Sequence, residues 1–271
     1  MTMKTLICIR KLPYSENTVS LGELFADLVD TSITLMTVAE ERRLVPEKEA
    51  ALNRIRRELR LEDARIKVRV GDVIDEILDE ADEGEYDYIV IGSRQLDGIL
   101  DFLMADVPSR VAGKAETSVL VARQPSQALR KILIPVGGQK MRKRVVRAGA
   151  ELARRAEALV TILYVTDPVP SMYTGLDALD ESLEELLSTD TPIAKHLRWS
   201  AEFLSGAGVE ANIKLRHGVT SDEIMREARQ GEYDLVVLGA PALKGPLQRL
   251  LMDQVTPQVV DKAVCSVLVV R

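Results

Sequence analysis

The 271 residues are enough for two domains of ordinary size, and a hydrophobic share of 46% can build two cores. The balance of 36 basic against 42 acidic residues gives a formal charge of −6, which excludes a general affinity for nucleic acid. No apolar run approaches a membrane span of about 18 residues, and the apolar stretch in MTMKTLICIRKLP is too short for a secretory signal. The expected setting is therefore the cytoplasm, without membrane contact. Cys8 and Cys265 both lie in strand-like apolar runs, the surroundings of small buried thiols rather than of a disulfide.

In chain order, Thr5 to Arg10 is a short β-forming run suited to a strand buried on both faces of a parallel sheet. Ser15 can cap a helix through Leu21, Leu24, Phe25 and Leu28, and SITLMTVAEE reads as the next strand. From Pro46 a helix turns Ala51, Leu52, Ile55 and Leu59 inward. ARIKVRV alternates with period two and is expected at the sheet edge. Gly71 turns the chain into the helix VIDEILDEAD, and YDYIVIG is the most hydrophobic strand. A loop and helix from Gly98 to Ala115 lead to the strand SVLVAR, and the polar Gln124 to Arg130 reads as a linker.

KILIPV then restarts the pattern. The stretch GEYDYIVIGS from Gly84 returns as GEYDLVVLGA from Gly231, with six of ten positions identical at an offset of 231 − 84 = 147. The correspondence runs back through Glu80/Glu227, Glu76/Glu223 and Asp75/Asp222 to Gly71/Gly218. A repeat of this length means two copies of a whole domain, here 1–123 and 131–271, and the alternation of strand and helix makes each copy α/β with a parallel sheet.

The second copy differs by an acidic, leucine-containing insertion between Thr166 and Thr191, expected to be mobile or lid-like. Its acidic residues at helical spacing form a solvated face rather than a metal cluster. Trp199, beside Leu197, Phe203 and Leu204, is expected to pack in the core. His196 and His217 are the only histidines, and neither has a further ligand at metal-binding spacing. HExxH and GxSxG are absent, and no nucleophile, base and acid set recurs in both copies, so an enzyme is not expected.

With KILIPV, the repeated GEYD-to-glycine strand and the closing CSVLVVR in view, the chain resembles a tandem universal stress protein over nearly its whole length. The resemblance implies two doubly wound five-stranded sheets in the order 3-2-1-4-5, of the adenine nucleotide alpha hydrolase-like kind, joined through antiparallel pairing of the fifth strands at Ser118 and Ser266. Ligands of such folds bind beyond the strand ends, between strands 1 and 4. Family members that bind ATP carry an acidic residue closing strand 1 and a GxxGx9G(S/T) loop after strand 4.

This chain departs from both features. In the first copy Arg10 closes strand 1, Gly92 is kept, Gln95 replaces the second glycine, and Ala105-Asp106 replaces the glycine and hydroxyl pair. In the second, strand 1 ends at Gly137, Gly239 is kept, Ala242 replaces the second glycine, and the final pair is Met252-Asp253, or Asp253-Gln254 if the loop is one residue longer. Glycines let the backbone approach phosphate, and an aspartate repels it. The resemblance thus makes Arg10, Gly92, Arg94, Ala105, Asp106, Ser109, Gly137, Gly138, Gly239 and Asp253 degenerate nucleotide-site positions. Lys11, Arg110 and Lys140 are further candidate anion contacts. The expectation is a non-enzymatic stress-response protein without a cofactor, acting through dimerisation and an unidentified protein partner, either as an intramolecular pseudo-dimer or as a homodimer of the tandem chain. The alternative is a sensor that binds ATP or AMP weakly.

Overall fold

The computed structural model describes residues 2–9, 16–93, 107–123, 128–137, 143–166, 182–240 and 255–271. The chain separates into two compact units, one of residues 1–128 with 266–271 and the other of residues 129–265.

The first unit contains strands β1 (Met3–Cys8), β2 (Thr31–Ala39), β3 (Arg65–Val70), β4 (Tyr88–Gly92) and β5 (Ser118–Ala122), with helices α1 (Glu16–Val29), α2 (Val45–Glu58), α3 (Val73–Glu83) and α4 (Val107–Lys114). The strands run in parallel in the order β3-β2-β1-β4-β5, as the resemblance implies. The central strand buries Leu6 and Ile7 completely, and α2 turns Ala51, Leu52 and Ile55 inward. Asp72 caps α3 by accepting from the backbone N–H groups of Ile74 and Asp75 at 3.0 and 3.2 Å.

The second unit contains β6 (Lys131–Val136), β7 (Leu159–Thr166), β8 (Ala211–His217) and β9 (Leu235–Gly239) in the parallel order β8-β7-β6-β9. Its helices are α5 (Lys143–Ala156), α6 (Leu183–Ser188), α7 (Pro192–Gly206), α8 (Thr220–Gln230) and α9 (Val255–Lys262). The closing strand β10 (Ser266–Val270) belongs to the first unit, where it pairs antiparallel with β5 and sets Leu268 opposite Leu120. Ser266 Oγ accepts from the Arg123 N–H at 3.2 Å and Ser118 Oγ from the Arg271 N–H at 3.1 Å. The expected antiparallel pairing of the two fifth strands is thus present, and each strand's first serine fastens the residue that follows the other strand.

The repeated GEYD stretch works at the N-terminal ends of the first strands. Asp87 accepts from the Lys4 N–H at 2.8 Å, and Asp234 from the Arg130 and Lys131 N–H groups at 2.7 and 2.9 Å. Each aspartate thereby pins the start of its copy's first strand. Lys4 and Lys131 donate through Nζ to the carbonyls of Gly84 and Gly231. A Cβ on either glycine would overlap the ring of Tyr86 or Tyr233 two residues on. Those tyrosines reach buried carboxylates, Tyr86 to Glu80 at 3.4 Å and Tyr233 to Glu227 at 3.1 Å. Basic side chains of the third strands complete both clusters, Lys67 and Arg69 around Glu80, Lys214 and Arg216 around Glu227. Gly71 and Gly218, at φ +156° and +148°, leave the space that the carboxylates of Glu76 and Glu223 occupy.

Two sequence expectations change. The linker is not wholly polar, because Leu129 is buried and the Arg130 N–H is held by Asp234. The last part of the insertion is a docked helix rather than a lid. Ser182 and Glu185 form a capping box, Leu186 is buried, and Arg198 Nη1 of α7 donates to the carbonyls of Leu187 and Thr189. Residues 167–181 of the insertion lie outside the described residues, as does Ser15.

Candidate functional site

In each copy the first strand lies between the second and fourth, with chain direction shared. The crevice of such a sheet opens beyond the C-terminal ends of strands 1 and 4. In the first unit the Ile9 N–H donates to Met36 O at 2.7 Å, so the ladder continues one residue past β1, to the position before Arg10. Gly92 ends β4, where a Cβ would overlap Oγ1 of Thr18, a buried residue of α1. The Ser93 N–H then donates to Ala122 O at 2.8 Å. Ser109 is half-buried and Arg110 exposed in the first turn of α4.

In the second unit Gly137 is exposed at φ +147°, a conformation that side chains disfavour, with the Tyr164 ring next to it. The Gly239 carbonyl accepts from Thr256 Oγ1 at 3.3 Å, which ties the end of β9 to α9. At the ends of β7 and β8, Thr166 Oγ1 and His217 Nδ1 lie 2.6 Å apart.

Of the positions singled out in the sequence, Gly92, Ser109, Gly137 and Gly239 fall on this frame. Arg10, Arg94, Ala105, Asp106, Gly138 and Asp253, with Lys11, Gln95, Lys140, Ala242 and Met252, lie outside the described residues. The frame does fix the lengths of the two loops. β4 and β9 begin 235 − 88 = 147 residues apart, and α4 and α9 begin 255 − 107 = 148 apart. The loop after β9 is one residue longer, the case in which the sequence comparison takes Asp253-Gln254 as the final pair.

Sequence reasoning missed Thr18, whose packing gives Gly92 a structural use independent of phosphate. No local signal marks that contact, because the two residues sit on different elements. Trp199 departs from its expected place in the core. On α7 the buried face carries Leu197, Ser200 and Leu204, while Trp199 and Phe203 are half-buried and stacked at 5.3 Å. Cys8 and Cys265 are both buried and form no disulfide, and burial pushes the Cys8 thiol far up. Among the described residues no group of three His, Cys, Asp or Glu side chains is placed to hold a metal ion, and no helix is long and apolar enough to cross a membrane.

Fold and frame define a class: two copies of a doubly wound α/β domain, each with its first strand between the second and the fourth. The family model for the universal stress protein family matches residues 2–123 and again 128–271, and the chain belongs to that family, with its domain present twice. It is 28% identical over 151 residues to a universal stress protein of Methanocaldococcus jannaschii, covering 56% of this chain and 87% of the relative. A universal stress protein of Methanothermobacter thermautotrophicus is 27% identical over 142 residues, 52% of this chain and 95% of the relative. Among solved structures, a universal stress protein of Pseudomonas aeruginosa superposes with a TM-score of 0.70 at 18% identity, covering 99% of this chain and 93% of that one. One from Archaeoglobus fulgidus gives 0.68 at 14%, covering 99% and 96%. At those identities the two structures speak for the fold.

Proposed function

We propose that this chain is a non-enzymatic stress-response protein of the cytoplasm that acts through contacts with partner proteins, its two nucleotide crevices being degenerate. The observation that carries the reading is the paired loss of phosphate-loop chemistry. Arg10 and Gly137 stand where an acidic residue would close strand 1, Gln95 and Ala242 replace loop glycines, and Ala105-Asp106 and Asp253-Gln254 replace the glycine and hydroxyl pair. Each copy places an aspartate where a polyphosphate would need N–H and O–H donors. The glycine that is kept in the first copy, Gly92, is accounted for by packing against Thr18. The β5–β10 pairing supports the intramolecular pseudo-dimer as the form in which partners are met.

Calorimetry of the full chain with magnesium-ATP tests this. The expected result is no dissociation constant below about 10 μM, roughly −7 kcal/mol. Tighter binding at a crevice overturns the reading. Asp106→Ser combined with Ala105→Gly is expected to strengthen binding in the first copy. A second reading, a sensor of ATP or AMP with atypical loops, draws on the exposed Gly137 at φ +147° beside Tyr164, a backbone that leaves room for a close ligand. The same titration separates the two readings.

A further inference from the structure

We propose that the N-terminal turn of α5, which carries Lys143, Arg144 and Arg147 and sets Lys143 over the Trp199 ring on which His196 of α7 is stacked, binds a phosphate-bearing small molecule, and that only the second copy has this site. The first N–H groups of a helix lack carbonyl partners and carry the positive end of its dipole, so cations are disfavoured there and anions favoured. α5 nevertheless begins with Lys143 and Arg144 and adds Arg147, all exposed. Lys143 and Arg147 are four residues apart and Arg144 and Arg147 three, spacings at which like charges repel. Among the described residues none of the three has a carboxylate partner. The far end of the same helix is built the other way: Arg154 and Arg155, where cations are favoured, are both held by Glu151 at 3.1 and 2.6 Å. A bound anion resolves the mismatch at the first turn.

The second observation is independent of the helix end. His196 is only 6% exposed, and its Nε2 has no hydrogen-bond partner. A buried unpaired ring nitrogen is costly. The imidazole stacks on Trp199 at 5.6 Å, and Lys143 Nζ lies 4.6 Å from the centroid of the same indole. Burial first, and then the charge of Lys143, hold the His196 pKa below its ordinary value. An anion seated beside Lys143 screens that charge and so eases protonation of the imidazole, whose Nε2 is unpaired. Guanidinium groups favour the planar, bidentate geometry that phosphate oxygens supply.

The first copy has no counterpart. Its helix α1 begins 143 − 16 = 127 residues earlier, with Glu16, Asn17 and Ser20 at the positions of Lys143, Arg144 and Arg147, and it contains no lysine or arginine. This site uses the start of the helix that follows strand 1, whereas the degenerate phosphate loops follow strand 4, so it does not rest on the loss of phosphate-loop chemistry.

Trp199 is the only tryptophan in the chain and reports on the site directly. The full-length protein is titrated with inorganic pyrophosphate, and separately with glycerol 3-phosphate as an organic monoester, against sodium chloride at matched ionic strength. The expected result is a saturable change in tryptophan emission with a dissociation constant below about 1 mM. Sodium chloride should not reproduce it. Arg144→Ala with Arg147→Ala is expected to weaken binding about tenfold or more while leaving the ligand-free emission in place and, because it relieves the repulsion at the helix start, holding or slightly raising the ligand-free thermal melt. A stronger response to pyrophosphate assigns the site to free phosphates, and one to the monoester assigns it to phosphorylated metabolites. The proposal is overturned if neither probe gives a saturable change, if salt reproduces it, if the double variant binds as well as the parent, or if an acidic peptide binds more tightly than both probes. Magnesium-ATP binding that survives the double variant counts against the degenerate crevices and leaves this site standing.

Discussion

Replacing Glu227 by Gln isolates the charge of one buried carboxylate while keeping its volume. The side chain is almost wholly buried and accepts from Lys214 Nζ at 2.7 Å, Arg216 Nε at 2.7 Å and the Tyr233 hydroxyl at 3.1 Å. Removing one partner of a fully buried pair costs about 3–5 kcal/mol. Here the figure is lower, because the Lys214 side chain is 48% exposed and can return to water. Arg216 keeps Glu223 and Gln230, and the amide oxygen still accepts from Tyr233. The expected loss is about 2 kcal/mol, read as a fall of roughly 1 M in the urea midpoint of the second unit's transition if m is about 2 kcal/mol/M. The pH dependence has a definite sign. Burial raises the Glu227 pKa, but the hydrogen bonds from Lys214, Arg216 and Tyr233 outweigh it and hold the carboxyl below its ordinary value. Its stabilisation is therefore full above the unfolded carboxylate pKa and is lost as pH falls through the lower folded value. Parent and variant should converge in acid. A loss below about 0.5 kcal/mol at pH 7, or a gap that widens on acidification, would refute the assignment of β8 anchoring to this charge cluster.

Two further substitutions probe positions where the copies can be compared. Val219 is 58% exposed before α8 and makes no cap, where the first copy has the capping Asp72; Val219→Asp is expected to raise stability by about 1 kcal/mol, measured by thermal melting, and no gain would mean that the helix start is already satisfied. Gly92→Ala places a methyl group on Thr18 Oγ1 and should cost about 1–3 kcal/mol. Adding Thr18→Ala should recover most of that loss in urea unfolding, and failure of the rescue would show that Gly92 is kept for another reason.

The fold is legible in the letters because each strand and helix carries its own period and the domain occurs twice, so an ambiguous segment in one copy can be checked in the other. What GEYD does is not legible. Its tyrosine and aspartate act on Glu80 and the start of β1 in one copy and on Glu227 and the start of β6 in the other, contacts that exist only once the chain has closed its sheet. Trp199 misleads because hydrophobicity alone does not choose a helix face. The spacing of Leu197, Ser200 and Leu204 turns a serine inward and leaves the tryptophan half-covered. The start of α6 is written plainly as a serine followed three residues later by a glutamate, but acidic composition draws attention to solvent first.

The two copies also separate what the fold needs from what a site needs. Residues that hold the sheet recur with their geometry: Asp87 and Asp234 at the strand starts, Tyr86 and Tyr233 on buried carboxylates, Gly71 and Gly218 against Glu76 and Glu223. The helix starts after strand 1 do not recur. Glu16 and Asn17 in one copy become Lys143 and Arg144 in the other, a reversal of charge at a point where the backbone field is the same. Structural need cannot account for both choices, because the helix dipole rewards only the acidic one. The basic choice costs the helix up to about 1 kcal/mol, which a bound anion would offset, and Lys143 of that turn lies over the indole on which the imidazole of His196, with its unpaired Nε2, is stacked.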